Sequence, residues 1–278
     1  MDFKAFIHSA LLEDIGSGDH STLACIDSSE VGKAVLKIKE AGVLAGVEVA
    51  KEIFLMVEPD CQIQIFIEDG SVVSYGEIAF EVRAKVHTIL SAERLVLNIM
   101  QRMSGIATLT HRYVALIKNY PAKILDTRKT TPNFRWFEKQ AVVIGGGQNH
   151  RMGLYDMIML KDNHIDYCGS IENAIDKTNR YLAQNQLDLK IEIEARTLED
   201  VRKILAHGGV HRIMLDNFTP DSLAEAVQLI DKKYETESSG GINLETIESY
   251  AKSQVDFISV GAIIHHAVSM DLSLKAVE

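Results

Sequence analysis

The segment LKIEIEARTLEDVRKILAHGGVHRIMLDN, residues 189–217, contains one complete repeat of the pattern that predicts the fold. A strand-like apolar run at 189–194 is followed by a stretch with helical spacing and then by a second strand-like run at 212–216. The two runs start 23 residues apart, which suits a strand, a crossover helix and a second, parallel strand. The segment therefore predicts α/β architecture built on parallel strands.

The same unit recurs through the second half of the chain. Successive strand-like runs start 34, 33, 23, 22 and 22 residues apart. A short strand at 142–144 would add one more, so we expect an α/β barrel of six or seven strands. An open doubly wound sheet has the same spacing, but no glycine-rich dinucleotide motif follows the first run, which favours the barrel. The runs begin at Ala122, Asp156, Leu189, Arg212, Tyr234 and Asp256.

The first hundred or so residues have a different pattern, which predicts a small α+β sheet domain. A helical stretch near 2–13 precedes short strand-like runs at 34–40, 62–67 and 77–82. Turn-like segments separate these runs, as expected for a sheet with short connections.

A helical region connects the two halves. Apolar residues recur at helical spacing from Thr88 to about Lys118, with a break at Ser104 and Gly105, which predicts two helices. The expected domains are 1–105 for the N-terminal α+β domain, 106–266 for the barrel, and about 267–278 for a tail that packs back on the first domain.

The composition predicts a folded, acidic protein of the cytoplasm. With 46% hydrophobic residues the chain can bury a core, and its net charge of −10 disfavours binding to nucleic acid or anionic membranes. The longest stretch without a charged side chain, 257–270, is shorter than the roughly 20 residues that a membrane span needs. Cys25, Cys61 and Cys168 lie far apart, which predicts reduced thiols and no cysteine zinc site. The N-terminus also lacks the features of a signal peptide.

One segment reverses this acidic balance. Between Thr127 and Lys161 the chain has six lysine or arginine residues and two acids. A solvated helix face would produce such a charge run, and an anion-binding site is the functional alternative. The basic residues are Arg128, Lys129, Arg135, Lys139, Arg151 and Lys161.

Polar groups capable of chemistry end every strand predicted in the second half. In a barrel these ends share one face, and that face carries the active site. A scatter of polar loop residues would not involve every strand, so we interpret this face as an active site. The groups are, in strand order, Asp126 to Lys129, Lys161 to His164, Glu192 with Glu194, Asp216 with Asn217, Ser238 to Gly241, and Ser259 with Gly261.

Glu192 and Glu194 alternate with isoleucines and therefore project to the same side of their strand. An internal layer of salt bridges would explain them, because a buried carboxylate needs a cation. In the functional alternative Glu194 joins Asp216 in holding Mg²⁺, which usually takes one or two protein carboxylates. The residues alone leave both explanations open.

Two further patterns indicate a highly anionic, phosphorylated ligand. Arg128 and Arg151 can each grip a planar carboxylate through two N–H groups, while Lys129 and Lys161 supply compact charges. Glycine-bearing segments follow the last two strands, where barrels often bind phosphate through backbone N–H groups. These segments are SSGG at 238–241 and VGA at 260–262.

The motifs together resemble the quinolinate phosphoribosyltransferase family, and the resemblance covers nearly the whole chain. So many motifs in one order are highly specific. They are EDIGSGDHST at 13–22, SAERLVLNIMQRMSGIAT at 91–108, DTRKTTP at 126–132, GGGQNHRMGL at 145–154, MLKDNH at 159–164, IEIE at 191–194, MLDN at 214–217, SSGGI at 238–242 and ISVGA at 258–262.

The resemblance implies a type II phosphoribosyltransferase architecture and a specific reaction. Phosphoribosyl passes from phosphoribosyl pyrophosphate to quinolinate with Mg²⁺, giving nicotinate mononucleotide, CO₂ and pyrophosphate in NAD biosynthesis. It also implies a homodimer in which Arg94 reaches the partner's active site.

Matching positions with the family motifs implies a role for each group. Lys129, Lys161, Glu194 and Asp216 are the implied catalytic residues, and Glu194 and Asp216 the implied metal ligands. The implied carboxylate contacts are Arg128, His150, Arg151 and Lys161, the pyrophosphate contacts are Lys129 and Lys161, and Thr127 supports their loop. The remaining implied substrate contacts are Ser239, with Gly240, Gly241, Gly261 and Ala262 cradling the 5′-phosphate.

Three other functions stay open. A related molybdenum-utilisation family shares this architecture but lacks the intact DTRKT and KDNH segments. A Schiff-base aldolase would need Lys129 or Lys161 in an apolar pocket. A non-catalytic nucleotide sensor would keep the phosphate site without turnover.

Overall fold

The computed structural model describes residues 3–277 and contains two compact units. The first unit consists of the chain up to His111, Thr130–Gly146 and the chain from Ile264 onward. The second consists of Arg112–Lys129 and Gly147–Ile263.

Helices and strands follow one another along residues 3–277. None of these helices, within the described residues, combines the length and apolar composition needed to cross a membrane. The helices are α1 (Phe3–Ile15), α2 (His20–Cys25), α3 (Val47–Val57), α4 (Val86–Leu116), α5 (Arg135–Ile144), α6 (Asp162–Cys168), α7 (Ile171–Asn185), α8 (Leu198–His207), α9 (Pro220–Ile230), α10 (Ile247–Ala251) and α11 (Ala262–His265). The strands are β1 (Val31–Ile38), β2 (Gly42–Val43), β3 (Gln62–Ile65), β4 (Val72–Val73), β5 (Ile78–Lys85), β6 (Lys123–Leu125), β7 (Ile158–Leu160), β8 (Ile191–Ala195), β9 (Arg212–Asp216), β10 (Glu235–Ser239), β11 (Phe257–Ser259) and β12 (Leu272–Val277).

The first unit is built on an antiparallel sheet with the strand order β12, β1, β5, β3. The predicted strand-like runs of the first hundred residues correspond to β1, β3 and β5, and the predicted first helix is α1 apart from residue 2, which lies outside the described residues. In β5, buried Phe80, Val82 and Ala84 alternate with more exposed Glu81 and Arg83. This alternation is typical of a sheet with one covered face.

A single helix, α4, occupies the region for which two helices were predicted. Ser104 and Gly105, the predicted break, lie inside it. Ser104 Oγ donates to the Ala45 carbonyl at 3.1 Å and accepts from the Ala45 N–H at 2.9 Å. A Cβ on Gly105 would overlap the carbonyl of Val268. The two-helix prediction is therefore wrong, because these small residues permit close packing and do not end a helix.

A buried ion pair joins α4 to α5 within the first unit. The fully buried Glu138 carboxylate accepts hydrogen bonds from Arg102 Nε at 2.9 Å and Nη2 at 2.8 Å. The Thr131 N–H and hydroxyl donate to the same carboxylate at 2.8 and 3.0 Å. Both carboxylate oxygens of Glu138 are therefore hydrogen-bonded, so no buried charge is left unpaired. Through these bonds Glu138 attaches the loop that precedes α5 to helix α4.

The second unit is built on a six-stranded parallel sheet with the order β6, β11, β10, β9, β8, β7, consistent with an α/β barrel. Each of the strand-like runs predicted in this half overlaps one of these strands. The additional strand predicted at 142–144 is wrong, since those residues belong to α5. Buried Phe137, Ala141 and Val142 recur there at helical spacing, which places them on one covered helix face.

Candidate active site

Most of the polar groups predicted at the strand ends share one edge of the second unit's sheet, because its strands are parallel. Glu192 is an exception, since it is the second residue of β8 and pairs with Arg212 at the start of β9. Asp216 is the last residue of β9 and Ser239 the last residue of β10, and the strand register pairs them. Glu194 is next to last in β8, and Lys161 directly follows β7. This edge corresponds to the face on which barrels carry their active sites.

Lys161 and Glu194 form an ion pair at this edge. Lys161 Nζ donates to Glu194 Oε1 at 2.8 Å, and the Asp162 N–H donates to Oε2 at 2.8 Å. The Glu194 side chain is 7% exposed, whereas that of Lys161 is 46% exposed. The lysine therefore stabilises a nearly buried carboxylate while its own charge still faces solvent.

Asp216 lies close enough to Glu194 for the two carboxylates to influence each other. Burial and the negative charge of Glu194 raise the pKa of Asp216, and the charge of Lys161 opposes this rise. Asn217 Nδ2 donates to Asp216 Oδ2 at 2.7 Å and orients it. Two partly buried carboxylates that repel each other provide the hard oxygen ligands that suit Mg²⁺.

The SSGG turn after β10 requires glycine at its third position. Gly240 has a φ of 103°, and a Cβ there would lie 2.8 Å from Asn217 Cγ and 3.0 Å from the Asn217 backbone nitrogen. The Asn217 N–H donates to the Ser239 carbonyl at 2.8 Å, which holds the loops after β9 and β10 together. Gly241 has a φ of 64°, and open space surrounds the position of its Cβ.

Arg151 belongs to the same unit and lies near a second guanidinium. Its Nη1 donates to the Met157 carbonyl at 3.0 Å. Burial and the positive charge of Arg128 both lower the pKa of Arg151. Because two neighbouring guanidiniums repel each other, a ligand with two carboxylates would stabilise both.

The DTRKT segment holds Lys129 at the surface just after β6. The Lys129 N–H donates to Thr127 Oγ1 at 3.1 Å, so Thr127 shapes the turn as predicted for it. Lys129 itself is exposed and can meet a ligand without loss of buried contacts.

His150 is buried, with 8% of its surface exposed, and both of its ring nitrogens contact protein groups. Nε2 lies 2.9 Å from Glu192 Oε2 and 3.4 Å from Glu237 Oε2. Nδ1 accepts the Arg151 N–H at 2.6 Å. Burial by itself lowers the pKa of His150, but Glu192 and Glu237 outweigh this effect and raise the pKa. The hydrogen bond from the Arg151 N–H opposes that rise, because it needs a lone pair on Nδ1. We therefore place the ring proton on Nε2, between the carboxylates.

Two members of this buried cluster, Arg212 and Glu237, were not predicted from the sequence. Arg212 Nη1 donates to Glu237 Oε2 at 2.9 Å, and the Ser259 hydroxyl donates to Glu237 Oε1. The alternation of side chains along a strand could have revealed them. Arg212 lies on the same face of β9 as Asp216, and Glu237 lies on the same face of β10 as Ser239. The cluster also bears on the open question about Glu192, which has a buried hydrogen-bond partner in His150.

The other predicted residues stay predictions. Arg94 is an exposed residue of α4, and its expected contact is with a second chain. Gly261 and Ala262 lie just after β11, separated from it by Val260, and are half-buried.

Comparison with known proteins matches both halves of the chain to the same family. The family model "Quinolinate phosphoribosyl transferase, N-terminal domain" matches residues 19–104, and the model of the C-terminal domain matches residues 106–275.

Individual relatives agree with this match. A chloroplastic nicotinate-nucleotide pyrophosphorylase (carboxylating) of Arabidopsis thaliana is 44% identical, over 99% of this chain and 82% of the relative. A probable nicotinate-nucleotide pyrophosphorylase (carboxylating) of Bacillus subtilis is 40% identical, over 99% of this chain and 93% of its own length. The crystal structure of NadC from Streptococcus pyogenes superposes with a TM-score of 0.92 at 38% identity, covering 99% of this chain and 97% of that one. The chain belongs to the quinolinate phosphoribosyltransferase family.

Proposed function

We propose that this protein transfers the phosphoribosyl group of phosphoribosyl pyrophosphate to quinolinate, forming nicotinate mononucleotide, CO₂ and pyrophosphate in de novo NAD biosynthesis. The observation that carries the proposal is the pair of neighbouring guanidiniums, Arg128 and Arg151, in the unit that also holds the Glu194 and Asp216 carboxylates. Two guanidiniums that influence each other's charge suit a planar ligand with two carboxylates, as quinolinate has. The names of the relatives, which specify the carboxylating pyrophosphorylase, support the same reaction.

Arg128, Arg151 and Lys161 hold the quinolinate carboxylates, with His150 beside them. This binding neutralises a dianion and fixes the ring nitrogen for attack on the ribose carbon. Lys129 and Lys161 face the pyrophosphate, and Thr127 keeps Lys129 in place.

The protein's contribution to the chemistry is mainly electrostatic. As the bond to pyrophosphate breaks, negative charge develops on the leaving group, and the cations Lys129 and Lys161 stabilise it. The ring nitrogen forms the new bond to ribose and becomes cationic. It then stabilises the electron pair left on the ring carbon when the adjacent carboxylate departs as CO₂, and a proton replaces that carboxylate.

Glu194 and Asp216 are the residues that would hold Mg²⁺ and the ribose hydroxyls. Their oxygens fit this ion, which takes one or two protein carboxylates and completes its shell with water and phosphate oxygens. Bound there, the ion would supply positive charge for the pyrophosphate. Lys161 orients Glu194 through its 2.8 Å bond.

The turns after the last two strands receive the 5′-phosphate. Ser239, Gly240 and Gly241 follow one strand, and Gly261 and Ala262 follow the next. The left-handed φ angles of Gly240 and Gly241 support a backbone that can approach an anion closely.

A homodimer in which Arg94 enters the partner's site completes the proposal. Arg94 is exposed on α4 and has no ion-pair partner within residues 3–277. Mixing Arg94→Ala with Lys129→Ala chains tests this arrangement, because hybrid dimers regain one intact site if the sites are shared. Activity that stays at the level of the separate variants would contradict it.

The cytoplasm is the compartment that we propose for the protein. Cys25, Cys61 and Cys168 are free thiols, which fits a reducing environment. Cell fractionation with an antibody to the chain would test this.

A Schiff-base aldolase is less well supported by the site. Its lysine would need an apolar pocket, whereas Lys161 is bonded to Glu194 and Lys129 is exposed.

Pyrophosphate release by the purified protein tests the proposed reaction. The protein, Mg²⁺ and phosphoribosyl pyrophosphate are incubated with quinolinate, with nicotinate or with no acceptor. We expect pyrophosphate release only when quinolinate is the acceptor. Release with nicotinate alone would keep the transferase class and reject the two-carboxylate pocket, and no release from folded protein would favour a sensor or the molybdenum-related function.

A further inference from the structure

His150 has no ring nitrogen left for a substrate. A histidine ring has two polar atoms, and here Nε2 bonds to Glu192 while Nδ1 accepts the Arg151 N–H. The ring is also 8% exposed, and its backbone N–H donates to the buried Asp126 carboxylate at 2.8 Å. A residue bonded in this way is better suited to holding its neighbour than to binding a ligand directly.

The neighbour that it holds is Arg151. The 2.6 Å contact between the Arg151 N–H and His150 Nδ1 fixes the start of the segment that carries the guanidinium. The Arg151 side chain then bonds to the Met157 carbonyl, near the positive charge of Arg128. The positive charge of Arg128 disfavours the charged guanidinium of Arg151 in this place, so contacts that restrain Arg151 help to keep it there.

The other side of His150 contacts two buried carboxyl groups. Glu192 and Glu237 are both fully buried and lie 2.9 and 3.4 Å from Nε2. Glu237 is in turn fixed by Arg212 at 2.9 Å and by the Ser259 hydroxyl. These strand residues cannot easily move, so they fix the orientation of the imidazole ring.

We infer that His150 is a positioning residue that acts through Arg151, and that Glu192 and Glu237, braced by Arg212, form its buried support. Arg151 is then the group that touches a substrate carboxylate. This inference rests on the proposed function, since it concerns how the quinolinate carboxylates are held.

A double-mutant cycle on ligand binding tests the inference. The probe is benzene-1,2-dicarboxylate, which has the two carboxylates of quinolinate but no ring nitrogen and so cannot react. Its dissociation constant is measured by calorimetry for the wild type, His150→Gln, Arg151→Gln and the double variant. Glutamine keeps a donor near the position of Nε2 but offers no acceptor at Nδ1, so it removes the link to Arg151 while Glu192 keeps a partner.

We expect His150→Gln to weaken binding about tenfold, and to weaken it no further once Arg151 is glutamine. Glu237→Gln, which leaves the ring in place, should weaken binding about threefold and show the same dependence on Arg151. Glu235→Gln is the matched control, because Glu235 bonds to Arg212 without contacting His150, and it should bind like the wild type. The KM for quinolinate should rise in His150→Gln while that for phosphoribosyl pyrophosphate changes less than twofold.

The inference would be overturned if the factors by which the single variants weaken binding multiplied in the double variants, because His150 would then contact the ligand itself. Equal losses in Glu235→Gln and Glu237→Gln would overturn the supporting role of Glu237. If the wild type binds and turns over substrate but the losses multiply, only this inference fails. If the wild type does not bind the dicarboxylate, the proposed function fails with it.

Discussion

Gly240 and Gly241 offer a matched test of the turn that we assign to the 5′-phosphate. Both have left-handed backbones, with φ angles of 103° and 64°. They differ in the space around a Cβ: at Gly240 it would meet the Asn217 side chain and backbone, whereas at Gly241 it would meet open space. Replacing each by alanine therefore separates backbone strain from a steric clash.

The expected costs follow from these surroundings. A left-handed conformation costs an alanine about 1 kcal/mol at either position. Gly240→Ala must also displace the Asn217 side chain, which breaks its 2.7 Å bond to the Asp216 carboxylate. A hydrogen bond to a charged group contributes about 2 kcal/mol, so we expect Gly240→Ala to lose about 3 kcal/mol and Gly241→Ala about 1 kcal/mol.

Urea unfolding followed by circular dichroism measures this difference. The KM for phosphoribosyl pyrophosphate should also rise more in Gly240→Ala, because Asp216 loses the group that orients it. Adding Asn217→Ala removes most of the overlap and should narrow the gap in stability between the two alanine variants. Equal stability losses at Gly240 and Gly241 would refute the reasoning.

Three further predictions concern charged groups. Lys129→Ala should lower the turnover number about 100-fold or more while the melting temperature stays unchanged, because Lys129 is exposed; near-normal turnover would remove it from the chemistry. Asp216→Asn should be inactive but more stable than the wild type at pH 7 in the presence of a chelator. The folded-state pKa of Asp216 is raised, so its ionisation destabilises the fold as pH rises. The unfolding free energies of the two proteins should therefore converge below about pH 3.8. Glu138→Gln should lose about 3 kcal/mol in urea unfolding, because it leaves the Arg102 charge without its buried partner; a loss below 1 kcal/mol would contradict that role.

The parallel strands and the groups at their ends were predictable from the sequence for a physical reason. Buried strands need short apolar runs, and the crossover helices between them impose a regular spacing. Once the strands are located, Lys161, Glu194 and Asp216 must share an edge, because parallel strands end on the same side. The structure brings Lys161 within 2.8 Å of Glu194, as this topology requires.

The errors came from contacts between segments distant in sequence. Ser104 and Gly105 have the composition of a helix break, but their small size serves a close approach to Ala45 and Val268. The role of Glu237 and Arg212 was also hidden, since charged residues in a strand usually face solvent. Their role becomes visible only when the strands are assembled, because Glu237 then contacts both Arg212 and His150 inside the sheet.

The most direct test of the central claim is a product balance from one reaction mixture. The purified protein is incubated with Mg²⁺, phosphoribosyl pyrophosphate and quinolinate labelled in the carboxylate next to the ring nitrogen, and three products are measured. We predict nicotinate mononucleotide, pyrophosphate and labelled CO₂ in equal amounts. Nucleotide formed without labelled CO₂, or pyrophosphate released without nucleotide, would contradict transfer to quinolinate with decarboxylation.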